Sequence, residues 1–195
     1  MSTCLAGCGL VKWLLLIPHI IILSFLWIGF VAVSIIVFFA ILFKGQYPRG
    51  LFEFNVGVLR WTWRVGFYGY HALGTDRYPP FTLESTDYPA DLQVMYPKEL
   101  SRGLMLVKWW LLAIPHYVIV AIFQGGWGPR YLSGGLIGVL VLISGVVLLF
   151  TGKYPRGILG FVMGMNRWTL RVAGYAGLLT DTYPRFALRL NSQLD

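Results

Sequence analysis

Residues 11–19 read VKWLLLIPH, and residues 107–116 read VKWWLLAIPH. Three further motifs recur after them in the same order: QYPRG (46–50) as KYPRG (153–157), RWTWRV (60–65) as RWTLRV (167–172), and TDRYPPF (75–81) as TDTYPRF (180–186). Four motifs repeated in one order indicate a duplicated structural unit. The sequence therefore predicts two tandem copies. The predicted boundaries are an N-terminal segment 1–10, repeat one 11–83, a polar linker 84–106, repeat two 107–188 and a tail 189–195.

The composition predicts that both copies are embedded in a membrane. Hydrophobic residues make up 57% of the chain and charged residues only 12%, whereas a soluble domain carries about 25% charged residues. The net charge is +8, and the basic residues flank or interrupt apolar segments. Such a distribution favours anionic phospholipid over nucleic acid as the first partner. The two cysteines, Cys4 and Cys8, both lie near the start, so no disulfide can staple the body of the protein.

The second copy predicts a pair of apolar helices. A cluster of Gly and Pro between 125 and 130 marks a loop, which divides the copy into a helix at 107–124, a loop at 125–134 and a helix at 135–150. The first copy has no such loop, and residues 13–43 form one apolar run, which is long enough for a single tilted helix because one crossing needs about 20 residues. By analogy with the second copy, we expect instead a tight hairpin near Trp27–Phe30.

A hairpin in each copy predicts the orientation of the protein. Every Lys and Arg except Arg130 then falls on one face of the membrane. The positive-inside rule assigns that face to the cytoplasm together with both termini, in a multi-pass protein of the bacterial inner (plasma) membrane. The two copies are then parallel repeats, related by an axis along the membrane normal, which weakens the interpretation of the protein as an alternating-access transporter.

Residues 51–73 are predicted to form a helix with a narrow polar stripe on an otherwise apolar surface. The stripe contains Glu53, Arg60, Arg64 and His71, which lie within one arc at 100° per residue. This pattern indicates a helix that lies in the membrane interface or turns its stripe toward a protein cleft.

The arginines of this helix are candidate lipid-phosphate ligands. Arg60 and Arg64 repel each other at a spacing of four, and the second copy repeats them as Arg167 and Arg171, so a shared anion is the natural partner. Alternatives are that the arginines only snorkel and fix topology, or that they pair with Asp76 and Asp181. The remaining candidate site residues are two phosphate ligands in the Tyr-Pro-Arg-Gly motifs, Arg49 and Arg156, and two interfacial anchors, Trp61 and Trp168.

Two histidines, His19 and His116, follow prolines inside the first apolar helix of each copy. An ionisable residue at this depth is a functional candidate. The favoured interpretation is that each histidine bonds a carbonyl freed by the proline. Haem or metal binding between the copies and proton handling are the alternatives, although no third ligand type recurs beside the pair.

The linker predicts a small cytoplasmic β element. Phe81–Glu84 and Leu92–Met95 are candidate strands around a turn at 87–91, and the C-terminal segment from Phe186 onward is a candidate third strand. No catalytic motif for a hydrolase, a nucleotide-binding enzyme or a zinc protease is present. We therefore expect no enzymatic activity and no resident cofactor.

The motifs KWLLLIPH, QYPRGLFEFNVGVLRWTWRV and TDRYPPFTL, with their second-copy partners, resemble the bacterial membrane family called domain of unknown function 4389. The resemblance covers nearly the whole chain after residue 10 and implies no established catalytic residues. One departure is that the expected polar strand ending in Tyr-Pro precedes only the second copy, at Asp91–Pro97. Any cytoplasmic sheet is therefore expected to be asymmetric or completed by another chain.

Together these features predict an all-α integral membrane protein whose two tandem parallel repeats each consist of a transmembrane helical hairpin and an interfacial amphipathic helix. The expected function is that of a non-enzymatic scaffold or accessory subunit. It binds anionic lipid at its basic face and forms a homo-oligomer or part of a larger membrane complex, helped by the close helix packing that four glycines allow: Gly134, Gly135, Gly138 and Gly145. The alternatives are a haem-binding or metal-binding redox protein and a small transporter or channel.

Overall fold

The fold, taken from a computed structural model, is described for residues 5–69, 75–97, 100–107, 112, 114–124, 135–151, 156–183 and 193–194. Most of these residues are helical, as predicted. The elements are α1 (Leu5–Lys44), α2 (Arg49–Tyr68), β1 (Gln93–Val94), α3 (Arg102–Val107), α4 (Ile114–Gln124), α5 (Gly135–Thr151), α6 (Arg156–Ala176) and β2 (Gln193–Leu194). In the described part of the chain, one segment, Leu14–Lys44 of α1, is long and apolar enough to cross a membrane by its length and composition.

The predicted hairpin near Trp27–Phe30 is wrong, because α1 is one continuous helix of 40 residues. Nothing in this run forces a turn, since Gly29 is the one strong turn former near the proposed bend and an isolated glycine is tolerated within a helix. The two hydroxyl groups of the run also bond inside the helix. Ser24 Oγ donates to the Ile20 carbonyl at 2.8 Å, and Ser34 Oγ to the Phe30 carbonyl at 2.7 Å.

The continuous helix removes the premise of the predicted charge segregation. Lys12 and Lys44 are both part of α1, and at 1.5 Å per residue they are about 48 Å apart along its axis. They therefore lie near opposite ends of one rod rather than together at the open end of a hairpin.

A hairpin does form in the first copy, but between α1 and α2. Gly45, with φ of 71°, turns the chain, and its amide donates to the Ile41 carbonyl at 2.7 Å. The helices then run antiparallel. Asn55 lies beside Ser34 near the turn, and further on Gly69 approaches Leu16 so closely that a Cβ there would come within 2.1 Å of the leucine Cδ1.

The second copy follows its predicted helices in part. The predicted helix 107–124 is represented by the end of α3 and by α4, and the predicted helix 135–150 corresponds to α5. Ile137 and Val141 of α5 pack with Val162 and Met165 of α6. The predicted loop 125–134 lies outside the described residues, as do Cys4, His71 and Arg130.

The predicted β element is smaller than expected and differently paired. Phe81–Glu84 is not a strand. In the other predicted strand, residues 93 and 94 form β1, which pairs in parallel with β2, so that Gln93 is opposite Gln193 and Val94 opposite Leu194. The expected contribution from the C-terminal segment is thus confirmed.

The two copies share one hydrophobic core. It contains Phe30 and Leu59 from the first copy together with Leu178 and Leu179 from the second. At Gly177, an added Cβ would lie 2.7 Å from Cζ of Phe30. Glycine at this position therefore permits the close approach of the copies.

Candidate functional site

The two arginines of the predicted polar stripe on α2 face protein, whereas Glu53 is exposed. Arg60 is largely buried, with 14% of its side chain exposed. Its Nε donates to the Leu92 carbonyl and its Nη1 to the Leu83 carbonyl, both at 3.0 Å. Nε also lies 3.3 Å from Oδ1 of Asp91. Two settings were expected for this helix, the membrane interface and a protein cleft. Around the Arg60 guanidinium group, the cleft is the one that forms.

Arg64 is held by the same part of the linker and is fully buried. Its Nη1 donates to the Thr82 carbonyl at 3.2 Å, and its Nη2 donates to the Glu84 carbonyl at 2.6 Å and to Oδ1 of Asp91 at 3.2 Å. One carboxylate therefore bridges two guanidinium groups that would otherwise repel each other. The partner of the pair is Asp91, not the Asp76 considered from the sequence.

The Asp91 carboxylate is stabilised in its charged form. Burial by itself raises its pKa, but hydrogen bonds from Ser85 and Arg64 and the charge of Arg60 outweigh burial and lower the pKa below its ordinary value. Ser85 Oγ donates to Oδ2 at 2.6 Å. Burial also lowers the pKa of Arg60, although the Asp91 charge acts in the opposite direction. Asp91, Arg60 and Arg64 thus form a largely buried ion-pair network that holds the linker against α2.

His19 is enclosed by aromatic rings. It is fully buried, its ring stacks on Phe81 with centroids 3.9 Å apart, and Tyr78 lies 5.0 Å away. The indole Nε1 of Trp61 donates a hydrogen bond to His19 Nδ1 at 3.1 Å. The partner of the imidazole is therefore an indole N–H group, not the carbonyl that we expected the proline to release.

The second copy brings the corresponding tryptophan and tyrosine rings around its own histidine. His116 is fully buried, with the ring of Trp168 at 5.3 Å and that of Tyr183 at 4.8 Å. Each tyrosine of the two clusters is also packed edge-on at 5.8 Å against a tyrosine near the end of the arginine-bearing helix, Tyr68 in one copy and Tyr175 in the other. Three of the four repeated motifs thus meet at each histidine.

These clusters do not fit a haem held between the copies. His19 is closed in by residues of the first copy, and His116 contacts aromatic rings of the second copy, to which it belongs itself. Nδ1 of His19 accepts a hydrogen bond, so in the neutral ring the proton is on Nε2 and no lone pair remains for a metal. Across the described residues, no group of three or more His, Cys, Asp or Glu is arranged to hold a metal ion.

The other predicted site residues occupy different settings. Arg49 is exposed at the start of α2, with its guanidinium carbon 5.5 Å from the ring centre of Tyr96. Arg156 begins α6. Trp61 and Trp168, predicted as interfacial anchors, are both buried among protein side chains. Lipid-phosphate binding by Arg60 and Arg64 stays a prediction.

The second arginine pair lies on α6. Arg167 and Arg171 are each partly buried on α6. Within the described residues, Nη1 of Arg167 is buried without a hydrogen-bond partner. Burial, and then the neighbouring charge of Arg171, lower the pKa of Arg167. Residues 184–192, which follow the last motif of this copy, lie outside the described residues.

Sequence reasoning missed Asp91 and the aromatic partners of the histidines. Tyr78 and Tyr183 lie in a repeated motif that was interpreted as a turn, so the repetition itself was the available signal. Asp91 lies in the linker outside the repeated motifs, and its partner is 27 residues away in sequence. No local pattern identifies such a contact.

The comparisons with known proteins agree with this duplicated architecture. The model of the family described as Domain of unknown function (DUF4389) matches residues 9–82 and, separately, residues 130–187. These segments make up about two thirds of the 195 residues, and the chain belongs to this family, in two copies. No curated protein and no solved structure gives a significant match.

Proposed function

We propose that this protein is a non-enzymatic scaffold or accessory subunit of the bacterial inner membrane that binds anionic lipid and assembles with itself or with a larger membrane complex. The observation that carries this proposal is the outer face of α1. Large apolar side chains are exposed along it from Leu14 to Phe43, including Phe25 at 71%, Ile28 at 68% and Phe43 at 75%. The opposite face packs on α2.

The size of this surface favours lipid as its solvent. From Leu14 to Phe43 the exposed apolar face extends about 44 Å at 1.5 Å per residue. Soluble monomers rarely expose contiguous apolar patches of more than a few hundred Å². A bilayer hydrocarbon core is about 30 Å thick, so a spanning α1 would tilt or extend into the headgroup layers.

The charged residues support lipid contact at the edges of this surface. Lys44 ends α1, and Arg49 begins α2 directly after the turn. Arg77, between α2 and β1, has 58% of its side chain exposed. Exposed cations near a membrane surface attract anionic headgroups, each by about 1 kcal/mol. Lys44 and Arg49 lie at the C-terminal end of α1, whereas Tyr78, next to Arg77, bonds to the Leu15 carbonyl near the other end. Basic residues therefore support lipid contact at both edges of the apolar surface.

The non-enzymatic assignment rests on how the reactive side chains are used. The carboxylate of Asp91 fastens two arginines, and the imidazole of His19 accepts a bond from Trp61. The Asp91 carboxylate is thus engaged in ion pairs, and Nδ1 of His19 in a hydrogen bond. The hydroxyls of Ser24 and Ser34 bond to carbonyls of their own helix, which disfavours a polar transport path along α1.

A matched pair of substitutions tests the membrane proposal. Ile28 on α1 and Met95 in the linker are both exposed apolar residues, at 68% and 76%. If α1 contacts lipid, Ile28→Asp places a charge in hydrocarbon and should prevent stable membrane insertion, whereas Met95→Asp should have no effect. Membranes washed with alkaline carbonate and probed for the protein give the readout. Normal retention of the Ile28→Asp variant would overturn the proposal.

Assembly and lipid binding are tested on the purified protein. Native mass spectrometry after gentle extraction should show a defined oligomer or a stable partner complex that retains anionic phospholipid. A bare monomer that takes up neither phosphatidylglycerol nor a partner would contradict the scaffold proposal.

A further inference from the structure

The two faces of α1 differ in their surroundings. Buried apolar residues recur at intervals of seven, at Leu16, Leu23 and Phe30. Leu14 and Ile28 each stand two residues before one of these positions and are exposed at 67% and 68%. Two residues turn a helix by about 200°, so the exposed apolar residues lie opposite the face that packs on α2.

The segment that connects α2 to β1 and extends beyond it, residues 78–96, runs beside the α1–α2 pair for most of its length. At its start, the Tyr78 hydroxyl donates to the Leu15 carbonyl at 3.1 Å. At its end, the Tyr96 hydroxyl donates to the carbonyl of Tyr47, in the turn that follows α1. The connecting segment 78–96 therefore reaches from one end of the apolar part of α1 to the other.

The middle of this connecting segment lies beside the middle of α1. Leu83 approaches Gly57 of α2 so closely that a Cβ added there would lie 2.7 Å from the leucine Cβ. The α2 residues two positions before and four positions after Gly57 bond to the side chains of Ser34 and His19. Leu83 is thus level with the centre of the apolar run Leu14–Lys44.

The connecting segment is polar and irregular at this level. Glu84 and Ser85 are exposed, and the Asp87 side chain is fully exposed. If α1 crossed the membrane, this level would lie in the hydrocarbon, about 15 Å from either surface. Lipid-exposed irregular backbone does not occur at that depth, and charged side chains there are costly. The position of the connecting segment therefore argues against a crossing by α1.

We propose that α1 lies in the plane of the membrane, with its exposed apolar face embedded in one leaflet and the connecting segment 78–96 on the water side. The inference rests on the proposed contact of α1 with lipid, and it differs from the multi-pass arrangement expected from the sequence. Helices that lie in this way bury an apolar face at the boundary between headgroups and acyl chains. The basic residues near both ends of α1 then reach headgroups of the same leaflet.

Two nitroxide labels at the same level of α1 test the proposal. Ile28→Cys and Glu84→Cys are labelled in a full-length background with Cys4 and Cys8 replaced by serine, in vesicles of phosphatidylethanolamine and phosphatidylglycerol. Power-saturation electron paramagnetic resonance measures collisions with oxygen, which concentrates in hydrocarbon, and with a nickel chelate, which stays in water. We expect the label at 28 to favour oxygen and the label at 84 to favour the nickel chelate, each by several-fold.

Labels further along the exposed face give the orientation of the helix. Leu14→Cys and Ile28→Cys lie about 21 Å apart along the axis, so a spanning helix places them at very different depths. An in-plane helix places them, and Phe43→Cys, at similar depths of about 5–10 Å.

Three outcomes overturn the inference. Oxygen access at both 28 and 84, with the greatest depth at 28, would show a spanning α1 and leave the proposed lipid contact standing. Nickel access at 28 would place this face in water and remove both proposals. Low access of both reagents at 28 would show that a second copy or another protein covers the face.

A second measurement keeps the test decisive if a label at 28 disturbs the fold. Gln46→Cys lies in the turn after α1, and Asp87→Cys lies near the other end of that helix, because Asp87 pairs with Arg77. In sealed membrane vesicles, an impermeant maleimide should label both cysteines or neither, and permeabilisation should change both alike. Labelling of one cysteine before permeabilisation and of the other only afterwards would overturn the inference.

Discussion

At the scale of single residues, Asp91 is the side chain that joins the linker to the two arginines of α2. Arg64 has no exposed surface and Arg60 little, and charges removed from water in this way require a partner of opposite sign. Asp91 meets that requirement for both arginines and, through Ser85, ties down its own loop. The position of the linker on α2 therefore depends on one carboxylate.

Replacing this carboxylate is expected to destabilise the protein. Asp91→Asn keeps the shape but removes the charge shared by Arg60 and Arg64, and we expect a loss of about 2 kcal/mol in the free energy of unfolding. Asp87→Asn is the matched control, because its carboxylate is fully exposed and lies 3.6 Å from the exposed Arg77. That variant should unfold like the unmodified protein. Thermal unfolding in detergent measures both, and equal stability of the two variants would contradict the central role of Asp91.

The same carboxylate predicts a pH dependence. Its pKa in the folded protein is lowered from the ordinary value of 3.8, so its stabilisation is fully present above pH 3.8. It is lost as the pH falls through the lower folded value, because the folded state then takes up the proton that the unfolded state already holds. The stability difference between unmodified protein and Asp91→Asn should be constant at pH 5–7 and shrink below pH 4. A difference that stays constant down to pH 2 would argue against the lowered pKa.

The sequence identified many of the important residues at this scale but not their partners. The repeated motifs indicated both histidines, both arginine pairs and both tryptophans. A histidine inside an apolar helix signals a buried polar group, yet its contact with Trp61 joins residues 42 positions apart. Such contacts are created by the path of the chain between helices, which the local pattern does not contain.

At the scale of elements, the packing of the linker on α2 depends on Gly57. A Cβ at this position would lie 2.7 Å from the Leu83 Cβ and 3.0 Å from its carbonyl oxygen. That carbonyl accepts a hydrogen bond from Arg60. The missing side chain therefore allows the linker to come close enough to reach the arginines.

An alanine at this position should push the linker away from α2. We expect Gly57→Ala to reduce the free energy of unfolding by about 1–3 kcal/mol, as overpacking does. Gly160→Ala on α6 is the control, because no atom lies within 4 Å of the added Cβ. It should stabilise the helix by about 0.5–1 kcal/mol. Chemical denaturation of both variants gives the comparison, and stabilisation of the Gly57→Ala variant would be inconsistent with this packing.

The continuous course of α1 is the element that sequence reasoning missed. The Gly and Pro cluster that divides the second copy is an insertion, and its absence from the first copy leaves the helix intact. The length of the apolar run 13–43 was by itself compatible with either a hairpin or a single helix. The antiparallel packing of α2 over much of the length of α1 favours the straight form, since it buries Leu16, Leu23 and Val37 along one face.

Spin labels distinguish the two forms directly. In a background with Cys4 and Cys8 replaced by serine, labels at Ile21→Cys and Ile36→Cys should lie about 22 Å apart in a single helix. Across a hairpin they would lie roughly 10 Å apart. Leu136→Cys with Phe150→Cys on α5 provides a reference of similar length. A double electron–electron resonance distance between positions 21 and 36 that is well below this reference would support the hairpin instead of the single helix.

At the scale of the whole molecule, the two copies are coupled through their shared core. Leu179 belongs to the second copy and is fully buried in a cluster with Phe30 and Leu59 of the first. The repetition of motifs indicated the existence of two copies. How they face each other was not predictable, because the core residues between them lie largely outside the repeated motifs.

This coupling predicts that the copies unfold together. Leu179→Ala should lower the free energy of unfolding by about 2–5 kcal/mol and leave a single transition. Leu142→Ala removes an equal side chain that is 65% exposed on α5, and should change stability by less than about 0.5 kcal/mol in detergent. Two separate calorimetric transitions in the Leu179→Ala variant would show that the copies are independent.

The parallel pairing of β1 with β2 has a consequence for biosynthesis. At translation rates of about 5–20 residues per second, Gln193 leaves the ribosome roughly 5–20 s after Val94. Asp91 is available to Arg60 and Arg64 from the start of that interval, whereas the partner of β1 is not. The first copy can therefore pack around Asp91 while its strand edge is still open, and the later arrival of residues 193–194 closes that edge once the second copy has been made.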